Sequence, residues 1–86
     1  MDIVQMVLAG KVNKTLVNLI QTKGGHAVGL SGIDGGIIDA TMKDEKLGYV
    51  GEITKIRTQP ILDLLEKNYI PVISTVASDR QGNIYN

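Results

Sequence analysis

Eighty-six residues with nine Lys+Arg, nine Asp+Glu, one His and no Cys hold one domain at most and carry no formal net charge. That balance argues against a nucleic-acid partner, which selects a basic excess, and an aromatic complement of three Tyr leaves little surface for base stacking. The missing Cys removes disulfides, thiolate nucleophiles and cysteine-ligated zinc. No apolar run nears the roughly 18 residues of a membrane span. The amino end lacks the basic region and cleavage-like site of a signal peptide. The expectation is a soluble, cytoplasmic chain. A hydrophobic fraction of 43% is globular rather than disordered. A chain this short buries only about 60% of its unfolded surface, so its stability without staples is the question that composition raises.

The first predicted element is a helix over residues 2–23. Ile3, Met6, Val7 and Gly10 share one face at i, i+3, i+4 spacing, and Val4, Leu8, Val12, Leu16 and Leu19 continue a neighbouring one. Gly24 terminates it, with Lys23 in the last turn. Two apolar faces imply cover on both sides, either by a sheet and a partner subunit or within a larger fold. The apolar run 27–31 reads as a buried parallel strand. Gly32-Ile33-Asp34-Gly35-Gly36 follows, and its Asp-Gly pair predicts a hairpin turn returning through a strand over 37–42.

Lys43-Asp44-Glu45-Lys46 is a charged, solvated turn, and residues 49–56 are β-rich, with Gly48 and Gly51 suggesting a bend or bulge. Thr58-Gln59-Pro60 opens a second helix, Pro falling in the first turn where its missing N–H costs nothing. Ile61, Leu62, Leu64 and Leu65 supply its buried stripe, and Asn68 ends it. Residues 69–74 form another buried strand, and 79–85 a turn entering a last, short one. Helices alternating with apolar strands indicate an α/β sheet rather than a bundle.

Candidate chemistry is sparse. The Gly-rich stretch 32–36 follows a strand as a phosphate loop would, but Ile37-Ile38-Asp39-Ala40-Thr41 favours a strand where such a loop must open a helix. Gly10-Lys11-Val12 lacks the Ser or Thr of a P-loop and sits inside a helix. His26 has no second His or nearby nucleophile and reads as structural. Asp34 is the turn former and Asp39 an outward-facing strand residue rather than a metal or acid/base pair. Residue chemistry alone assembles no active site.

Read whole, the sequence resembles the middle of the acetylglutamate kinases, within the amino-acid kinase family. The likeness is carried by residues 3–14 (IVQMVLAGKVNK), 27–32 with Asp34-Gly35, 47–56 (LGYVGEITKI), 69–74 (YIPVIS) and 82–86 (GNIYN), in matching order and spacing over essentially the whole chain. Met1 matches a Met common at that point, so it need not be a true start. The resemblance implies a portion, about the middle third, of an αβα sandwich, with helices on a mainly parallel sheet and hairpin extensions, undivided over residues 1–86. It further implies an enzyme that moves the γ-phosphoryl of ATP, with Mg2+, onto the side-chain carboxylate of N-acetyl-L-glutamate, in arginine biosynthesis. The first helix resembles the part that packs on a second subunit, giving a homodimer.

The same resemblance places the family's Lys-x-Gly-Gly phosphate segment, Gly-rich substrate turn and substrate-binding Arg before residue 1. Its Asn-Ala-Asp segment with the catalytic Asp, its second Lys and its adenine-binding region would follow residue 86. One functional position matches here: Asn86 corresponds to the Asn that hydrogen-bonds the substrate, a role suited to an amide that offers two donors without adding charge. Alone, the chain is therefore expected to be inactive and to bind no ATP. Ile33 stands where the family usually has Lys, Thr75 and Ala77 replace a common Pro and Gly, and Thr58-Gln59-Pro60 replaces an Asn-Pro helix start. The alternative is a stand-alone kinase-derived α/β binding or assembly module without phosphotransfer.

Overall fold

The computed structural model describes residues 2–42 and 51–86. The charged turn expected at 43–46, Gly48 and the start of the strand expected from 49 lie outside the described residues. The first helix is continuous but not uniform. It is α-helical over α1 (Asp2–Gln5), π-helical over Met6–Val12, and α-helical again over α2 (Asn13–Thr22). In the wide π turn the Asn13 N–H reaches back five residues to the Leu8 carbonyl. Gly24 ends the helix as expected. At φ +92° it occupies the left-handed region, and its N–H and that of Gly25 donate to the Gln21 and Ile20 carbonyls, satisfying the last turn.

Strands β1 (Ala27–Ser31) and β4 (Ile70–Ser74) pair in parallel, with Gly29 opposite Val72 and Ser31 opposite Ser74. A four-stranded second sheet runs in the order β3 (Gly51–Ile56), β2 (Ile38–Met42), β5 (Ala77–Ser78), β6 (Ile84–Tyr85). The hairpin expected across residues 32–36 is not formed. β1 takes β4 as its partner, while β2 pairs antiparallel with β3 and in parallel with β5. The Asp-Gly turn forms nevertheless, as a 3-10 turn over Asp34–Gly36 with Gly35 and Gly36 at positive φ. It carries the chain from one sheet to the other, after the Gly32 N–H makes a last bond to the Ser74 carbonyl of β4. The irregularity in β2–β3 lies between Asp39 and Ala40, whose partners are Lys55 and Ile53, so Thr54 is skipped and Gly51 is not the bulge.

Helix α3 (Gln59–Glu66) begins at the Thr58-Gln59-Pro60 signal and ends at Asn68, whose φ of 67° puts it in the left-handed region. The N–H groups of Asn68 and Tyr69 close the helix by donating to the Leu65 and Leu64 carbonyls. Side-chain alternation sets the layers. The Cβ direction of Gly29 points at Asn13 of the first helix, and Leu30 faces Pro60 and Leu64 of α3 across an apolar cleft. Helices therefore cover both faces of the β1–β4 pair, an αβα arrangement. The stripe expected on α3 is only partly covered: Ile61 and Leu64 are half-buried, whereas Leu62 and Leu65 are about half exposed.

The junction of the first helix with the parallel pair is tight. A Cβ on Gly29 would lie 1.9 Å from Asn13 Oδ1, so the amide occupies the space that a side chain would need. We expect Gly29→Ala to lower the unfolding free energy by about 1–3 kcal/mol through overpacking. Denaturant titration checks this, and the loss should shrink when Asn13→Ala is present in the same chain, because the two positions share one space.

Candidate functional site

The turn at 79–83 is organised by one carboxylate. Asp79 accepts hydrogen bonds from the backbone N–H groups of Gln81 (2.8 Å) and Asn83 (3.2 Å), from the Asn83 side-chain amide (2.7 Å), and from the Tyr85 hydroxyl (3.2 Å). These donors, the Asn83 amide foremost, hold the Asp79 carboxyl below the usual carboxylate range. Arg80 and Gly82 turn the chain in the left-handed region. Tyr85 is buried against Ala40 and Ala77, and so brings Asn86 to a defined place. The Asn86 carbonyl accepts the Gly51 N–H at 3.1 Å, tying the end of β6 to the start of β3.

Asn86 lies at the rim of a cavity of about 140 Å³ lined by Ile38, Ala40, Ile53, Thr75 and Ala77. The described lining residues are mostly apolar, with Thr75 and Asn86 adding a hydroxyl and an amide, a composition that suits a small ligand having one apolar part and one carboxylate or amide. Gly51 allows this closeness: a Cβ there would come within 2.7 Å of Tyr85 Cβ and 3.2 Å of Ala40 Cβ. Thr75 and Ala77 are among the wall residues.

Asp39 is not the outward-facing strand residue expected from alternation. Its side chain is only 15% exposed and receives two guanidinium groups, Arg57 Nη1 at 2.5 Å and Arg80 Nε at 3.3 Å. Arg57 also donates to the Gly36 carbonyl at 3.0 Å, and the Arg80 guanidinium fills the space beside Gly36, 2.0 Å from where a Cβ would sit. The cluster clamps β2, the residue after β3 and the 79–83 turn together. The Arg57 hydrogen bond, more than any other influence, holds the Asp39 carboxyl below its ordinary range. Sequence alternation could not show this, because both arginines are distant in the chain. Asp34 is the expected turn former, with its carboxylate accepting from the Ser31 N–H at 2.7 Å and the Ser31 hydroxyl at 3.1 Å.

The remaining expectations resolve simply. Gly10-Lys11-Val12 lies within the π-helical segment, and the Gly32–Gly36 stretch leads into β2 rather than a helix, so neither forms a phosphate loop. His26 is exposed, and its carbonyl accepts the Ile70 N–H, a structural role at the start of the parallel pair. Among the described residues no group of three His, Cys, Asp or Glu is placed to hold a metal ion, and no helix is long and apolar enough to cross a membrane.

Both Asp39 and Asp79 titrate below their ordinary value of about 3.9 in the folded state. Their stabilisation is therefore fully present above that value and is lost as pH falls through the lowered folded values. Asp39→Asn should melt at a lower temperature than the parent chain at neutral pH, and the gap should close below about pH 4. Thermal melts across a pH series read this directly.

The model of the amino acid kinase family matches residues 1–86. Acetylglutamate kinase of Thermosynechococcus vestitus is 54% identical over 87 residues, covering 100% of this chain and 30% of that enzyme. The acetylglutamate kinase of Synechococcus sp. strain RCC307 is 51% identical over 87 residues, and that of Clostridium kluyveri 54% over 88, covering 29% and 31% of those enzymes respectively. The chain thus spans about 30% of the length of the curated relatives it matches. With the family model matched from first residue to last, and with helices on both faces of a parallel strand pair, the chain belongs to the amino acid kinase family.

Proposed function

We propose that these residues are the central part of an acetylglutamate kinase, an ATP-dependent enzyme that phosphorylates the side-chain carboxylate of N-acetyl-L-glutamate in arginine biosynthesis. The observation that carries this is identity of 51–54% to acetylglutamate kinases along the whole chain. The physical state of the chain agrees. Its radius of gyration is 13.6 Å, against about 12 Å for a compact domain of this length. Ile3 and Met6 are 78% and 69% exposed, and Leu19, Ile53 and Ile56 are also open. Such surfaces belong to a body completed by further layers, so residues 1–86 form one undivided portion of a larger αβα domain. The setting proposed for it is cytoplasmic.

In the proposed reaction a carboxylate oxygen of the substrate forms a bond to the γ-phosphorus while the bond to the β–γ bridging oxygen breaks and ADP departs. Positioning and cationic stabilisation of the transferring group dominate such chemistry. Bound Mg2+ would neutralise phosphate charge, but the described residues offer no ligand set for it, and no step is assigned to them through it. The part proposed for this chain is substrate placement. The Asn86 amide donates to a carboxylate of N-acetyl-L-glutamate, and the apolar cavity beside it takes an uncharged part of the molecule. With no cationic group among the described residues of that cavity wall, residues 1–86 alone are proposed to be inactive and to leave ATP unbound. The exposed stripe Ile3, Met6 and Val7 on the first helix is proposed to meet a second copy, as a homodimer.

Sequencing the source DNA on both sides of this coding region tests the reading. An in-frame Asn-Ala-Asp segment after Asn86 and a Lys-x-Gly-Gly segment before Met1 are expected. Start and stop signals bounding 86 codons would sink it in favour of a non-catalytic assembly module. In the complete enzyme, Asn86→Ala should lower kcat/KM for N-acetyl-L-glutamate about 10- to 100-fold, the loss of one hydrogen bond to a charged group. Calorimetry of the 86-residue chain with ATP at millimolar concentration should give no saturable heat. Met6→Glu should shift the enzyme toward monomer in light scattering.

A further inference from the structure

Asn13 is the most buried polar side chain among the described residues, 3% exposed, in a position where an apolar residue would fill the same space. Its Nδ2 lies 3.1 Å from the Leu30 carbonyl, 3.0 Å from the Val72 carbonyl and 2.9 Å from Ser74 Oγ, so one amide touches both strands of the parallel pair. Ser74 in turn donates its hydroxyl to the Leu8 carbonyl at 3.0 Å. That carbonyl also receives the Asn13 N–H, through the wide π turn. The result is a closed ring of hydrogen bonds in a buried site, in which the Asn13 amide and the Ser74 hydroxyl form a donor chain ending on the Leu8 carbonyl, and the two bonds of that chain strengthen each other. π-Helical turns cost helix geometry, and they concentrate where function needs the displaced backbone.

The backbone of Ser74 continues the network. Its carbonyl accepts the Gly32 N–H at 3.2 Å and the Val76 N–H at 2.9 Å. Gly32 follows β1 and Val76 precedes β5, so one residue fixes both places where the chain leaves the parallel pair for the second sheet. In open α/β sheets, ligands collect outside the carboxyl ends of the parallel strands. Here those ends are Ser31 and Ser74, and of the three residues after Ser74 the first and third, Thr75 and Ala77, wall the cavity beside Asn86. Val76 between them is fully buried and leaves no slack.

We infer that Asn13 and Ser74 are positioning residues that tie the first helix to the cavity beside Asn86, so that substrate placement there depends on the helix. The inference rests on the substrate-site reading of Asn86 given above. Neither residue lines the cavity; they act through the path of Thr75, Val76 and Ala77. The coupling is carried by a contiguous hydrogen-bonded junction, the kind of physical link such a claim requires.

The test uses the complete enzyme with Ser74→Ala, and with Ser74→Thr to restore the hydroxyl. Amide hydrogen exchange at Val76, Ala77 and Tyr85 should quicken about 3- to 10-fold in Ser74→Ala, while Gly51–Ile56 stays as in the parent. The KM for N-acetyl-L-glutamate should rise about 3- to 10-fold with the KM for ATP unchanged, and Ser74→Thr should return both readouts most of the way. Ser74→Cys, a weak donor of similar size, serves if Ser74→Ala does not fold, and should fall between parent and Ala. Unchanged exchange at these three amides, or faster exchange with an unchanged substrate KM, overturns the inference. So does a parallel change in both KM values that Thr does not rescue. A parent enzyme that turns over no N-acetyl-L-glutamate defeats the functional reading instead, and the exchange data still judge the link itself.

Discussion

An amide buried between a helix and two parallel strands fixes how the first layer of this chain meets the second. Asn13 can lie there only because Gly29 has no side chain, and it remains there because its donors face two strand carbonyls and a serine hydroxyl. Removing such a group's partners leaves a buried amide without hydrogen bonds, which costs about 1–3 kcal/mol. An apolar residue of the same size would fill the space equally well but would not select one register of helix on sheet. The amide makes the helix sit at a single height over β1 and β4. From that height follow the π turn behind it and the Ser74 junction ahead of it.

The buried apolar set among the described residues is small: Ala27, Ile37, Ala40, Val76, Ala77 and Tyr85. Four of these six belong to β2, β5, β6 or the step into β5, beside the cavity rather than under the long first helix. The helix itself buries only Asn13 in its second α-helical stretch and nothing in its π stretch. Polar specificity therefore docks the helix more than hydrophobic area does. Apolar area is spread over outward faces, where burial would be worth about 25 cal/mol per Å² once another layer covers it. Outward apolar area of this extent bears on the question that composition raised, because it is what the proposed larger domain would cover.

Much of the local structure was legible because its causes are local. Gly24 and Asn68 end helices in the left-handed region, Pro60 opens α3, and the apolar runs around Val28 and Val72 form parallel strands. Each effect needs only neighbours in sequence. The failures have non-local causes. Asp34-Gly35 carries a strong hairpin signal, yet pairing was decided by β4, some forty residues away, which offers β1 a fully matched parallel edge. Asp39 alternates as an exposed strand residue should, but Arg57 and Arg80 converge on it from other elements. No periodicity signals the π turn, since its causes include a hydroxyl 66 residues further along. Asn86 came to notice through family resemblance, and spacing alone offered nothing at that position.

The two sheets meet where placement matters most. β6 ends at Tyr85, which is held from three sides. Its ring is packed on Ala40 and Ala77, its hydroxyl is on Asp79, and its Cβ lies against the open face of Gly51. A side chain at residue 51 would press on Tyr85 and, one residue on, shift the amide of Asn86. The Asp39–Arg57–Arg80 clamp controls the same hairpin from its other end by holding Arg80 in the turn. The Ser74 junction sets the facing wall. Three unrelated devices, a glycine contact, an ion cluster and a buried amide ring, thus converge on the cavity beside Asn86. In the substrate-placing role proposed for Asn86, an amide that adds no charge contributes through its position, and holding it within a fraction of an ångström is what these devices would supply.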